Sequence, residues 1–268
     1  MQNEDRTGYQ QLETAPTLAT IERLQYDRHY RDRRGLFFVE GVRNFVEAVD
    51  HCFPISALLY SEKLLINPLA RKMVRQLKRN GVPFARVSPE QFRTVSKTER
   101  ASGVGAVLHH RIQKLESVKL EEQSCWTALG HVRSHGNFGT LVRTSAAVGA
   151  AGFILLGDGI DPFDPLVVRA TMGALFKQTL VRTTDDQFQR VQQRNPQVIG
   201  ASPDGTMEYD QVRYTRPTVL ILGTERSGLT EAQRSVCRHI VRIPMADGMD
   251  SLNLAVAGSL LMYKAFLG

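Results

Sequence analysis

Three short clusters of polar residues in the second half of the chain have the side chains to bind a ligand or take part in catalysis. In the first cluster, Asn137, Gly139 and Arg143 follow the end of an apolar strand and open a helix. Arg143 lies about one and two-thirds helical turns beyond Asn137 and could hold a phosphate, because a guanidinium is always charged and donates in a planar fork. Two readings without a ligand stay open, an N-capping role for Asn137 and a solvated charge at Arg143.

The second and third clusters follow two further apolar strands. Gly223 ends the strand over 217–223, where a glycine permits a tight turn or a close approach of the backbone to a ligand. Glu225 then lies at the carboxyl end of that strand, where open α/β sheets bind their ligands. Ser251 and Asn253 begin a helix rich in small apolar residues, for which a buried helix with a serine cap is the alternative. None of the three clusters decides the function by itself.

Several common sites are excluded by inspection. Leu229 stands where a phosphate-binding loop needs lysine, and the chain has neither a GxGxxG dinucleotide fingerprint nor a GxSxG nucleophile motif. The histidines lack metal-ligand spacing, and Asp158, Asp161 and Asp164 lack the calcium-loop pattern, so we expect turn and helix-cap residues there. The cysteines, which are odd in number and far apart, argue against a disulfide framework and a CxxC metal site: Cys52, Cys125 and Cys237. The sequence therefore predicts no metal.

Composition and length indicate a globular chain. Of 268 residues, 42% are hydrophobic and 23% charged, which suits one large domain or two medium ones. No apolar run approaches the roughly 18–20 residues that span a bilayer, and the polar first residues contain no signal-peptide core. We therefore expect a soluble, cytoplasmic protein without a membrane segment.

Positive charge is concentrated in the first half of the chain. The 34 basic and 27 acidic residues give a net charge of +7. Residues 1–115 hold 19 basic and 12 acidic side chains, which is also +7, whereas residues 116–268 hold 15 of each. Such asymmetry is expected where one half of a protein binds a polyanion, although arginine-rich faces can also be merely solvated.

Apolar runs and helical periodicities alternate along both halves, which predicts an α/β protein with parallel strands. We predict a helix from about Thr17 to Tyr30, a short basic segment, and a buried strand that begins near Leu36. The predicted organisation is a flexible extension over 1–17, a domain over 18–110, a charged linker over 111–124 and a second domain over 125–268.

Together, the three clusters resemble the signature motifs of the SpoU/TrmH branch of the SPOUT methyltransferases. The patterns NxGxxxR, LxxGxE and IPMxxGxxSLN occur in order over residues 137–143, 220–225 and 243–253. Residues 167–176 are similar to the family's Arg-Ala-x-x-Gly-Ala segment, and residues 31–48 resemble a ribosomal-protein-like RNA-binding domain. Two departures occur. His135 stands where members often have proline, and Thr224 and Arg226 replace the asparagine and second glycine of Gly-Asn-Glu-Gly.

The resemblance implies a small N-terminal α/β RNA-binding domain followed by a methyltransferase domain with an α/β-knot, a trefoil-knotted parallel sheet. It implies transfer of a methyl group from S-adenosylmethionine to a ribose 2′-hydroxyl of structured RNA, with ribosomal RNA favoured over tRNA. It also implies a homodimer formed through the C-terminal domain, with active sites built from both subunits. The competing hypotheses are a tRNA methyltransferase and a non-enzymatic RNA-binding or assembly factor, with a nucleotide-binding oxidoreductase as a distant third.

The resemblance also assigns roles to residues. Arg143 would hold a phosphate that assists removal of the ribose proton, Asn137 and Asn253 would orient substrate and loops, and Glu225 would hold the motif loops or Arg143. Ser251 would contact cofactor or ribose, which completes the implied catalytic set. The implied cofactor-binding residues are Leu222, Gly223, Ile243, Met245, Ser251 and Leu252. From charge, we predict RNA contacts at Arg31, Arg33, Arg34, Arg43, Arg71, Lys72, Arg75 and Lys78.

Overall fold

The computed structural model describes residues 3–4, 10–118, 120, 124–224, 226–249 and 251–267. The chain divides into two compact units, Met1–His110 with Pro162–Phe176, and Arg111–Asp161 with Lys177–Gly268. The predicted domain limits stay a prediction. The packing places residues 162–176 in the first unit, where the Phe163 ring stacks on the His110 ring with centroids 4.1 Å apart.

The first unit is built on a six-stranded mixed sheet in the order β1-β2-β5-β4-β6-β3. Strands β4 and β5 are parallel, while β6 pairs antiparallel with both β3 and β4. Helices and sheet enclose an apolar core that includes Ile21, Leu24, Phe38, Leu59 and Phe92. The elements are β1 (Asn3–Glu4), β2 (Gln10–Gln11), α1 (Thr14–Tyr26), α2 (Arg28–Arg34), β3 (Leu36–Glu40), α3 (Val42–Asp50), β4 (Ile55–Tyr60), α4 (Pro68–Arg79), β5 (Phe84–Arg86), α5 (Pro89–Val95) and β6 (Val104–His109).

The rest of the chain forms an eight-stranded, wholly parallel sheet in the order β12-β14-β11-β13-β8-β9-β10-β7. The α/β prediction is confirmed, and the central strands are buried along their length, as expected for a parallel sheet covered on both faces. The elements are β7 (Ile112–Lys114), β8 (Cys125–Leu129), α6 (His135–Ala147), β9 (Gly152–Leu156), α7 (Pro165–Thr171, in the first unit), β10 (Thr179–Thr183), α8 (Asp185–Phe188), β11 (Gln197–Ala201), β12 (Met207–Glu208), β13 (Thr218–Leu222), α9 (Glu231–Ser235), β14 (His239–Arg242) and α10 (Leu254–Leu267), with 3-10 helices at Leu115–Ser117, Ala174–Lys177 and Gln189–Arg194.

The strand order of this sheet reverses between β8 and β13. Strands β8, β9 and β10 follow one another towards one edge, whereas β13, β11 and β14 lie on the other side of β8. Loops at the carboxyl ends of β8 and β13 therefore leave the sheet in opposite directions and open a crevice, which is where open α/β sheets bind ligands.

The segments predicted to be a flexible extension and a linker both contribute strands to the sheets. Within 111–124, β7 pairs with β10, and Leu115 and Val118 are buried in the core of the second unit. The few apolar residues of this charged stretch show little periodicity, so the sequence pattern does not reveal the strand. Within 1–17, β2 pairs with β5 and α1 begins at Thr14; residues 1–2 and 5–9 lie outside the described residues.

The helix predicted up to Tyr30 is two helices, because Asp27 is extended (φ −112°, ψ 101°) and caps α2 by accepting a hydrogen bond from the Tyr30 backbone N–H at 2.9 Å. This break turns Arg31 inward, where it is only 2% exposed. Its guanidinium donates to the Leu24 carbonyl at 2.7 Å and lies 3.5 Å from the Asp164 carboxylate. The prediction that Arg31 contacts RNA is therefore wrong, because its side chain is inside the first unit.

Among the described residues, no helix is long and apolar enough to cross a membrane.

We expect Arg31→Gln to lower the free energy of unfolding by about 2 kcal/mol, because the Leu24 carbonyl and the Asp164 carboxylate lose a charged donor. Urea unfolding followed by circular dichroism measures this. Arg33→Gln, on the exposed side of the same helix, is the control and should change the value by less than about 0.5 kcal/mol. Equal effects of the two substitutions would contradict a structural role for Arg31.

Candidate functional site

A cavity of about 650 Å³ lies at the carboxyl ends of the neighbouring strands β14, β11 and β13. Its volume is within the range of roughly 300–1,000 Å³ that small-ligand sites occupy. All six residues predicted to bind the cofactor line it, together with Asn137 and Asn253 of the predicted catalytic set. The six are Leu222, Gly223, Ile243, Met245, Ser251 and Leu252. The structure thus brings parts of all three sequence clusters to one cavity.

The backbone fixes the shape of this cavity at Gly223. A Cβ atom on Gly223 would lie 2.1 Å from the carbonyl carbon of Gly228 and 2.5 Å from the Leu229 nitrogen, so only glycine fits. The loop between them is closed by two backbone hydrogen bonds, Thr224 N–H to Gly228 O at 2.9 Å and Gly228 N–H to Thr224 O at 3.1 Å. The Thr224 and Ser227 hydroxyls are also 2.7 Å apart. Glu225, predicted as catalytic, lies outside the described residues.

Two asparagines join the first and third clusters. Asn253 caps α10, since its side-chain oxygen accepts from the backbone N–H groups of Ala255 at 2.9 Å and Val256 at 3.3 Å. Its amide nitrogen donates to the side-chain oxygen of Asn137 at 3.1 Å. The N-cap of α6 is Ser134, which accepts from the Asn137 backbone N–H at 3.2 Å. The Asn137 side chain is therefore not the cap that sequence reasoning left open; it ties two loops together at the cavity wall.

Helix α10 packs closely behind the cavity. A Cβ atom on Gly258 would lie 2.5 Å from a methyl carbon of Leu141 in α6 and 2.6 Å from one of Leu222 in β13. The Thr144 and Ser259 hydroxyls are 2.9 Å apart across the same pair of helices. The third cluster is thus held against the first two by packing as well as by the asparagine pair.

The polar residues of the cavity wall that sequence reasoning missed include Ser202, Asp204 and Arg234. The Arg234 guanidinium donates to both Asp204 carboxylate oxygens at 3.0 Å and to the Ser202 hydroxyl at 3.1 Å, and the Ser202 hydroxyl donates to Asp204. The hydrogen bonds from Ser202 and Arg234 lower the pKa of Asp204, so its carboxylate is ionised at neutral pH. The available signal was position, since Ser202 and Asp204 directly follow β11 at its carboxyl end.

Of the described residues that were predicted to be catalytic, Arg143 is the one that does not line this cavity. It lies on the exposed side of α6, and no described residue is within hydrogen-bonding or ion-pair distance of its guanidinium. The next residue, Thr144, contacts Ser259 of α10. Arg143 is therefore presented at the surface beside the contact between α6 and α10.

The basic residues of the first unit differ in accessibility. Exposed side chains are found at Arg33, Arg34, Arg43, Arg71, Lys72 and Arg75. Lys78 is partly buried, donates to the Tyr60 hydroxyl at 3.0 Å and lies 4.1 Å from the centre of the Phe84 ring. Arg71 donates to the carbonyls of Leu65 and, at 3.2 Å, Glu62. The exposed positions stay predictions of RNA contact.

Among the described residues, no group of three or more histidine, cysteine, aspartate or glutamate side chains is placed to hold a metal ion.

Characterised proteins align with almost the whole chain. A 23S rRNA (uridine(2479)-2′-O)-methyltransferase of Streptomyces viridochromogenes is 31% identical over 247 residues, which cover 89% of this chain and 85% of the relative. The 23S rRNA (guanosine(2553)-2′-O)-methyltransferase RlmP of Bacillus subtilis is 26% identical, with 87% of this chain and 89% of the relative covered.

Two crystal structures share the fold. An AdoMet-bound rRNA methyltransferase from Sinorhizobium meliloti superposes with a TM-score of 0.86 at 29% identity, over 96% of this chain and 97% of that one. The SpoU methyltransferase AviRb from Streptomyces viridochromogenes, in complex with AdoMet, superposes with a TM-score of 0.83 at 29% identity. The match covers 94% of this chain and 97% of that one. The predicted SPOUT architecture is confirmed, and the strand order is consistent with the knotted path that the resemblance implies.

Family models cover both parts of the chain. Residues 16–106 match the MRM3-like substrate binding domain, and residues 125–263 match the SpoU rRNA Methylase family. The second match spans the strands, loops and helix that build the cavity at the reversal of the sheet. The chain belongs to the SpoU rRNA Methylase family.

Proposed function

We propose that this protein transfers the methyl group of S-adenosylmethionine to a ribose 2′-hydroxyl of 23S rRNA. One observation carries the proposal: residues of three clusters far apart in the sequence line a single cavity at the carboxyl ends of β14, β11 and β13 in a parallel sheet. The rRNA specificity is supported by the names of relatives that align over nearly the whole chain. An rRNA substrate also supports the cytoplasmic location expected from the sequence.

The cavity residues suit S-adenosylmethionine, which combines a flat apolar base with a polar ribose and a charged amino-acid tail. Leu222, Ile243, Met245 and Leu252 supply apolar contacts. Residues 243–246 follow β14 and are neither strand nor helix, so their backbone groups are outside the sheet ladder and can bind the base edge. Asp204, held ionised by its partners, can accept hydrogen bonds from ribose hydroxyls. When bound, this cofactor supplies an electrophilic methyl group.

Gly223→Ala should weaken S-adenosylmethionine binding at least tenfold, because the added Cβ would displace residues 228–229 from the cavity wall. Titration calorimetry measures the affinity, and circular dichroism confirms that the variant folds. Gly136→Ala is the matched control, since a Cβ there meets nothing closer than 3.9 Å. Normal affinity of folded Gly223→Ala would show that the cofactor lies elsewhere.

The chain's own residues would position the ribose and the phosphate group that receives its proton. We assign Arg143 to hold an RNA phosphate, because a guanidinium stays protonated in proteins and is a poor base but a strong phosphate ligand. A phosphate oxygen held in this way would accept the proton of the 2′-hydroxyl while the ribose oxygen takes the methyl group from the cofactor's sulfur. The Asn137–Asn253 pair fixes the two loops beside the reacting atoms, so much of the rate would come from positioning.

A homodimer through α10 would bring Arg143 to a cavity. Large apolar side chains of α10 recur on its exposed side at spacings of four, three and four residues: Val256, Leu260, Tyr263 and Leu267. A continuous exposed apolar stripe of this kind is typical of a protein interface. Arg143 lies beside this helix on α6, so a second copy seated on the stripe would place the guanidinium of one subunit near the cavity of the other.

We further propose that residues 18–110 bind the RNA and that residues 125–268 carry catalysis. The excess positive charge of the first 115 residues and the match to a substrate-binding domain support this division. It favours a large structured RNA, since a separate module would recognise features distant from the methylated nucleotide.

Arg143→Ala should lower the rate of methyl transfer at least a hundredfold, because the phosphate and the proton acceptor lose their position. S-adenosylmethionine affinity should stay within a few-fold, since Arg143 does not line the cavity. The assay uses labelled S-adenosylmethionine with unmodified 23S rRNA, with bulk tRNA as a second substrate, and 2′-O-methyl mapping locates the product. Arg213→Ala, another exposed arginine of the second unit, is the control.

Full activity of Arg143→Ala would contradict its role, and methylation of tRNA alone would contradict the substrate. Mixed dimers of Arg143→Ala and Gly223→Ala decide which subunit Arg143 serves. If Arg143 serves the partner's cavity, mixing two inactive variants restores activity, because one of the two sites then has both an intact cavity and an arginine. If Arg143 serves its own chain, the mixture stays inactive.

Leu260→Glu should convert the dimer to a monomer, because a carboxylate would be buried in an apolar interface. Sedimentation velocity at micromolar concentration measures the mass. Leu166→Glu, an equally exposed leucine on α7, is the control and should leave the dimer intact. A monomeric wild-type protein, or a dimer of Leu260→Glu, would contradict the interface.

A further inference from the structure

A second cavity, of about 840 Å³, lies at the carboxyl ends of β8 and β9. It is on the opposite side of β13 from the first cavity in the strand order, and the loop after β13 forms a wall of both. Apart from Gly159, the residues that line it have polar or charged side chains: His131, Arg133, Ser134, Asp158, Gly159, Thr224, Arg226 and Ser227. Five of these eight residues do not line the first cavity, so the function of that cavity does not account for them.

The charge of the second cavity favours an anion. Arg133 and Arg226 are exposed, and no described residue is within hydrogen-bonding or ion-pair distance of either guanidinium. Among the described residues of the lining, Asp158 is the one acidic side chain beside Arg133 and Arg226, so these described side chains carry a net positive charge at neutral pH. A guanidinium donates two parallel hydrogen bonds, which matches the geometry of phosphate oxygens.

The second cavity adjoins the place where the methyl group would be delivered. Thr224, Arg226 and Ser227 line both cavities. The two ends of the loop that carries them are held by the Thr224–Gly228 backbone pair and by the crossing over Gly223, and Arg226 lies at the boundary of the two cavities. A nucleotide bound in the second cavity would therefore have its ribose close to the cofactor cavity.

We propose that the second cavity holds the target nucleotide of the RNA, with Arg226 and Arg133 binding a phosphate that flanks the methylated ribose. The proposal rests on the proposed function and names its substrate subsite. Arg226 is then a positioning residue for RNA. It stands where the similar family motif often has glycine, which has no side chain. Arg226 therefore gives this chain a phosphate contact that a glycine at this position could not make.

The test compares Arg226→Gln and Arg133→Gln with Arg190→Gln, an exposed arginine outside both cavities. KM for unmodified 23S rRNA should rise roughly tenfold in the two cavity variants, the loss of about one charged hydrogen bond. Filter binding at several salt concentrations gives the slope of log RNA affinity against log salt concentration. This slope should become smaller by about the amount expected for one lost phosphate contact. Arg226→Lys should recover part of the KM loss, because it keeps the charge but not the planar fork.

S-adenosylmethionine affinity separates the alternatives. If Arg226→Gln binds RNA as Arg190→Gln does, the inference is wrong. It is also wrong if Arg226→Gln loses cofactor affinity while its RNA affinity stays normal, since Arg226 would then serve the first cavity. A wild-type protein that methylates no RNA would overturn the proposed function, and filter binding of the same RNA would still decide whether Arg226 contacts it.

Discussion

The site depends on one contact between two stretches of backbone, where residues 228–229 cross directly over Gly223 at the end of β13. A Cβ atom at Gly223 would overlap the Gly228 carbonyl, so the crossing requires glycine and fixes the path of the loop that it closes. This loop lies between the two cavities and contributes residues to both. A side chain in the crossing would therefore change the cofactor side and the proposed RNA side together.

The parallel sheet explains why the two cavities adjoin. All of its strands point the same way, so the loops after β14, β11, β13, β8 and β9 emerge at one edge in the order of the strands rather than of the sequence. The reversal between β8 and β13 separates these loops into two groups with a crevice between them. Gly258 brings α10 against Leu222 and so holds the third cluster at this edge. Strand order thus produces a site that no contiguous segment could form.

The sequence predicts those parts of this site that local pattern or motif resemblance specifies. The buried strands, the α/β class and the six cofactor-cavity residues belong to that part. Features that depend on packing are missed: Arg31 is inside because Asp27 interrupts a helix whose periodicity continues through it. The Ser202–Asp204–Arg234 cluster joins a loop to a helix thirty residues further along the chain, and no local pattern in the sequence reveals that pairing. Asn137 is predicted in part: the sequence places it at the start of a helix, but it does not show that Ser134 is the residue that caps this helix.

If Arg143 is catalytic, as proposed above, a single chain forms an incomplete catalytic unit. Asn137 and Arg143 belong to the same rigid helix, about 9 Å apart along its axis and about 120° apart around it. Asn137 is held at the cavity by Asn253, so α6 cannot rotate to bring Arg143 to the same wall. The guanidinium is directed instead towards the surface beside α10, whose outer side carries large apolar residues. A second copy on that surface would supply each cavity with an arginine while covering the apolar stripe, so dimerisation and completion of the active site would be one event.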